Sequence, residues 1–194
     1  MRKIALVVFG LLVLVMMASC ATNHEVALSQ NKNIVGKNGI KRPDWVLQDQ
    51  SNMVNHYAAG YGVGKTFETS MMKAKLNADA ALALWVSNSV EAVRDRYIEE
   101  TNDNGKETYI DKFVSSANEA GKAVLSGITE IDFWEDLEGG VWVLHMIPVA
   151  NIKAQIESAI DTVCADKTLF SDEAKSKEVF EKLNKALDAY FPEK

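Results

Sequence analysis

An α+β fold, in which helices pack a small antiparallel sheet, is what this sequence predicts, and three observations carry it. Ile128 to Trp134 and Val141 to Val149 are β-rich runs flanking Leu137-Glu138-Gly139-Gly140, which reads as a hairpin. From Phe67 onward apolar residues recur at helical spacing. The remainder lacks the strand–helix alternation that a parallel sheet needs.

Taken in order, the chain opens with Arg2-Lys3 and an uncharged run from Ile4 to Met17. A permanent bilayer span needs about 18–20 apolar residues, so this run reads as a cleavable export signal. Met17-Ala18-Ser19-Cys20 makes it more specific. It resembles the bacterial lipoprotein signal, in which a small residue precedes the Cys that is acylated and becomes the mature N-terminus. Met17 stands where such boxes prefer Leu. The expected organisation is a signal at 1–19, a lipidated flexible tether at 20–41 and one domain at 42–194. The only cofactor expected is the covalent lipid on Cys20. Ala21, directly after that Cys, is a residue that permits outer-membrane delivery in lipoproteins of this kind.

With residues 1–19 removed, 19 basic against 27 acidic residues leave a net charge of −8. An acidic chain has no electrostatic footprint for nucleic acid, and no polybasic patch for anionic lipid. Contact with the membrane would rest on the acyl chains. Of the two cysteines, acylation takes Cys20 and leaves Cys164 without a disulfide partner. Stability must come from packing.

Arg42-Pro43-Asp44-Trp45-Val46 begins the expected domain, with Pro43 holding Arg42 extended and Trp45 anchoring the entry. Tyr57 to Val63 reads as a strand whose glycines imply close approach of a helix or backbone. Ala59 to Thr66 also fits a relaxed phosphate-loop pattern, ending Gly64-Lys65-Thr66. Thr66 as a helix N-cap, with Glu68 in the first turn, explains the same letters, and no nucleotide is expected.

Met71, Ala74, Ala78, Leu82 and Trp85, then Val86, Val90, Val93 and Tyr97, predict a long helix to about Ile98. The alternative ends it near Ser87-Asn88-Ser89 and makes a strand of Val90 to Glu100. A turn follows at 101–105, then a helix with Tyr109, Phe113, Ala117 and Ala120 on one face, ending at Gly121. After the hairpin, Ile152, Ile156, Ile160 and Val163 mark a third helix that places Cys164 as a buried thiol. Ser171 is the expected cap of a last helix striped by Val179, Phe180, Leu183, Leu187 and Tyr190 and stopped by Pro192. That stripe is expected to dock on its own domain, with a partner helix as the alternative.

Several of these pieces occur together in order: Arg42 to Val46, Tyr57 to Gly62, the Ala-rich helix, and the hairpin from Gly127-Ile128-Thr129-Glu130-Ile131-Asp132-Phe133-Trp134 to Val141-Trp142-Val143-Leu144. The combination resembles the twenty-kilodalton bacterial surface lipoproteins, a family that includes flagellar assembly lipoproteins of the FlgP type. The resemblance covers a core at about 42–149, and the helices at 150–190 are additions to it. It implies an α+β domain lipid-anchored at the outer membrane, antigenic or structural roles, in some members around the flagellar basal body, and no catalysis.

Motifs for chemistry are sparse. His24, His56 and His145 are scattered, with no metal-ligand spacing and no metal expected. His145, in an apolar strand, reads as a hydrogen-bonded core residue. Asp132, Glu135, Asp136 and Glu138 read as a solvated hairpin end rather than a catalytic acid pair. The function expected is a non-catalytic outer-membrane lipoprotein with a structural or protein-binding role, self-association included. Trp45, Tyr61, Trp134 and Leu183 are the candidate interaction surface. The alternative is a small-ligand binder or hydrolase using the Tyr57–Gly62 strand and the 128–149 hairpin.

Overall fold

The structure is a computed structural model that describes residues 34–101, 107–170 and 172–192. The export signal, Cys20, His24, most of the turn at 101–105 and the expected cap Ser171 lie outside the described residues.

The described residues form three strands, β1 (Asn55–Gly62), β2 (Thr129–Glu135) and β3 (Val141–Pro148), and four helices, α1 (Phe67–Thr101), α2 (Thr108–Val124), α3 (Val149–Ala165) and α4 (Glu173–Tyr190). The sheet is antiparallel with order β1-β3-β2, so the strand that is apolar on both faces is the central one. The fold is α+β, as the hairpin and the helical periodicity require.

Helix α1 connects the two parts of the molecule. Its 35 residues extend about 52 Å at 1.5 Å per residue. The first half lies across β1 and β3, and the second half packs with α2 and α4. Thr66 caps it, its hydroxyl accepting from the Thr69 backbone N–H at 3.3 Å. Ala74 and Ala78 are buried against the sheet. A Cβ on Gly60 would collide with the Ala74 carbonyl oxygen and the Ala78 nitrogen, and one on Gly62 with the Ser70 oxygen and the Ala74 nitrogen. The glycines of β1 therefore exist so that a helix backbone can lie directly on the strand.

The strand considered for Val90 to Glu100 does not form. Val90, Val93 and Tyr97 are fully buried at helical spacing in a core shared with Phe113 of α2, Ile156 and Ile160 of α3, and Leu183 and Leu187 of α4. Gly121 does not end α2 either. It is buried inside the helix, where a Cβ would fall 2.6 Å from Val86 Cγ1, and the chain runs on to Val124. A short residue is needed there because α2 crosses α1 at that point. Helix α4 is capped by Asp172, whose carboxylate accepts from the Lys175 N–H at 2.7 Å. Phe180 sits at the margin of the α4 stripe and is exposed, and Ala186 completes the buried face in its place.

Residues before Arg42 are structured as well. Val35 and Lys41 form an antiparallel bridge, and the Lys37 N–H donates to the Glu135 carbonyl of β2 at 3.2 Å. The part of the expected tether from Ile34 on is thus fixed to the edge of the sheet.

Candidate interaction surface

The strand registers determine what the sheet shows on the side away from α1. Tyr61 pairs with Trp142, and Trp142 with Trp134, so three aromatic residues stand in one row across β1, β3 and β2. The Tyr61 and Trp142 rings lie 4.7 Å apart. Two carboxylates of the hairpin end bond to the row while remaining at the solvated surface. Tyr61 donates its hydroxyl to Asp136 at 3.1 Å, and Trp45 donates its indole N–H to Asp132 at 3.0 Å. Burial, then the carboxylates of Asp136 and Glu138, push the Tyr61 phenol above its ordinary range.

Three of the four residues named from the sequence therefore meet on one face, but the chain itself covers much of it. Trp134 is 4% exposed and donates to the Ile40 carbonyl at 3.0 Å. Trp45 is half-buried in the turn Asp44–Val46, whose Val46 is buried. Beneath that turn lies a cavity of ≈ 190 Å³ touching Tyr57, Ala59 and Leu144, smaller than the roughly 300 Å³ at which ligand cavities begin. Leu183 lies in the helical core at 0% exposure. Trp45, Trp134 and Leu183 hold the fold together, and of the four only Tyr61 is exposed.

Among the exposed apolar side chains is a row on the outer side of α1. Met72, Leu76 and Leu84 are 57%, 60% and 62% exposed. Spaced by four and eight residues, they share a helix face with exposed Ala80, opposite the buried row Ala74, Ala78 and Leu82. The sequence contained this signal as a second row of four-residue spacing beside the first, and it was missed because a single stripe already accounted for the helix. From Leu76 to Asn88 the outer side carries no charge. Asp79, within that span, stands at the flank of the helix with its side chain 45% exposed and bonds His145 Nδ1 at 2.8 Å.

The polar groups found inside are structural. His145 is buried between Asp79 and Glu130, its Nε2 3.7 Å from Glu130 Oε2, and Lys75 pairs with the same oxygen at 2.8 Å. It is the hydrogen-bonded core residue expected of it. Burial raises the Cys164 thiol to about 11, with Asp161 adding to the shift. In the loop that resembled a phosphate site, the Gly64 N–H is taken by Ser70 Oγ at 2.9 Å, and Ser70 in turn donates to the Gly139 carbonyl at 3.0 Å. Those groups tie α1 to the hairpin.

A larger groove of ≈ 790 Å³ opens at the start of β1, between Trp85 of α1, the first turn of α3 and the end of α4. His56 stacks on Trp85 at 4.0 Å, and Phe191 meets Trp85 edge-on. Burial lowers the His56 pKa, which keeps the ring neutral near pH 7. Lys153 at the rim pairs with Asp188 at 2.9 Å. The groove lies at the opposite end of β1 from the hairpin turn.

Fold and surface together define a class: an α+β domain of four helices on a three-stranded antiparallel sheet, with an uncharged aliphatic row on its longest helix. Comparison with protein-family models, with curated proteins and with solved structures finds no match. The resemblance to the surface lipoproteins is carried by the quoted motifs alone.

Proposed function

We propose that this chain is a non-catalytic, lipid-anchored outer-membrane domain that binds protein. The observation that carries the reading is the aliphatic row Met72, Leu76 and Leu84 on α1. A well-packed domain leaves scattered apolar residues in water, but a row of exposed aliphatic side chains along one helix marks a surface that another macromolecule covers. The signal ending in Cys20 supports the address, and the motif resemblance supports a structural role in the envelope, flagellum-associated in some of the proteins it resembles. Crosslinking in native membranes tests the reading. Adducts formed by the wild-type chain should disappear in a Leu76→Glu, Leu84→Glu variant whose melting temperature is unchanged. Adducts that persist in that variant would place the binding surface elsewhere.

A second reading, a small-ligand binder, draws on the groove beside His56 and Trp85. Its volume lies within the ordinary range for ligand sites, and its lining is mostly apolar. That reading requires a ligand-induced rise in melting temperature that Trp85→Ala abolishes, and it moves the site away from the hairpin.

A further inference from the structure

We infer that the hairpin at 34–42 is a displaceable strap, and that the end of β2 beneath it is a second binding surface. That surface takes an extended polypeptide segment carrying a glycine followed by a basic residue. It is separate from the α1 row and does not depend on it.

What the strap buries is the first argument. Val35 bridges Lys41, and the Arg42 N–H donates to the Ile34 carbonyl at 2.8 Å, so the segment forms a hairpin of its own. Between positions 35 and 41 Gly36 is the one buried residue, and the side chains of Val35 and Ile40 are exposed. A segment that buries no apolar side chain can open locally while the core stays folded. The core resumes at Val46, which is buried.

The contacts beneath the strap give the chemistry of the partner. The Lys37 N–H donates to the Glu135 carbonyl at 3.2 Å, and the Trp134 indole N–H donates to the Ile40 carbonyl at 3.0 Å. Both groups that the strap supplies belong to its backbone, so another extended backbone can supply them in its place. Glu135 pairs with Val141, and its carbonyl points away from β3, which makes this contact an addition to the edge of the sheet. Farther along β2 the Phe133 N–H is taken by the Asp132 carboxylate at 2.8 Å, so that part of the edge is blunted.

Two side-chain requirements narrow the partner. A Cβ on Gly36 would collide with the Glu135 carbonyl oxygen and would fall 2.7 Å from Trp134 Nε1, so the position over Trp134 needs a glycine. The next residue must be basic. The Glu135 side chain is 9% exposed, and Lys37 Nζ meets its Oε1 at 2.9 Å. A displacing segment without a cation would leave that carboxylate mostly buried and unpaired. Strap and partner use the same atoms of β2 and exclude each other. Being part of the chain, the strap holds a high effective concentration that the partner must overcome.

A fluorescein-labelled peptide of residues 34–42, titrated with the full-length chain and followed by anisotropy, tests this. The wild-type chain should bind it weakly, because its own strap competes. Gly36→Val in the chain should expel the strap and tighten binding by about tenfold or more, with the melting temperature unchanged. Lys37→Glu in the chain, which sets a second carboxylate against Glu135, should act in the same direction. Peptides carrying Gly36→Val or Lys37→Glu should bind none of these chains. Peptide binding no tighter in either chain variant than in the wild type would overturn the binding surface. A large fall in the melting temperature of the Gly36→Val chain would show the segment to be part of the core and overturn the strap. Equal binding of the Gly36→Val peptide would overturn the stated chemistry of the partner.

Discussion

His56 is the residue whose chemistry most directly reports its surroundings. Half-buried against Trp85, it favours the neutral ring, so its folded pKa lies below the unfolded value. The unfolded chain then binds more protons, and the stabilisation is complete above about pH 7.5 and lost as pH falls through the depressed folded value. A His56→Gln variant should show a flatter stability profile between about pH 7 and 5 in urea melts at several pH values; an unchanged slope would mean that the ring is solvated. Cys164 gives a second reading of burial. With its pKa raised to about 11, it should react with a neutral thiol reagent at pH 8 far more slowly than after denaturation. His145 was legible in the sequence because it lay in an apolar strand, whereas Cys164, expected buried, is only half-buried. The roles of Trp45 and Trp134 were not legible. Whether an aromatic residue faces solvent or a returning loop depends on where Ile34–Lys41 docks, and no local pattern encodes that.

The elements were more legible than the surface they make. The glycines of β1 announced a close neighbour, and α1 fills that position. Gly60→Val should cost about 3 kcal/mol or more, above ordinary overpacking, because its obstacle is helix backbone that cannot rotate away. Lys65→Ala, one turn of sequence later and exposed, should change stability by less than about 0.5 kcal/mol. Thermal melts of the two variants check these costs, and saturable ATP binding lost in Lys65→Ala would instead show a phosphate loop. Helix α4 docks on its own domain: Leu183→Asp should destabilise by about 4 kcal/mol or more, and Phe180→Ser at the exposed margin by less than about 1 kcal/mol. The errors at Gly121 and in the outer row of α1 share a cause. Both depend on what the helix packs against, and one helix can satisfy a neighbour with a missing side chain or present two apolar rows to two different surfaces.

For the molecule as a whole, the proposed function assigns anchoring and binding to different parts of the chain. The described chain starts at Ile34 beside β2, fourteen residues after Cys20, a distance of at most about 50 Å if extended. Replacing Cys20 by Ser should abolish palmitate labelling and release the protein to the aqueous phase with its fold intact; persistent membrane partitioning of that variant would remove the lipid anchor from the account. The central claim, that α1 presents a surface covered by protein, is tested most directly by a photo-reactive side chain placed at position 84 of the full-length chain in its native membrane, with position 154 on α3 as the control. Irradiation should yield protein adducts from position 84 and none from 154. An exposed leucine position that captures no protein, with 72 and 76 equally silent, would contradict it.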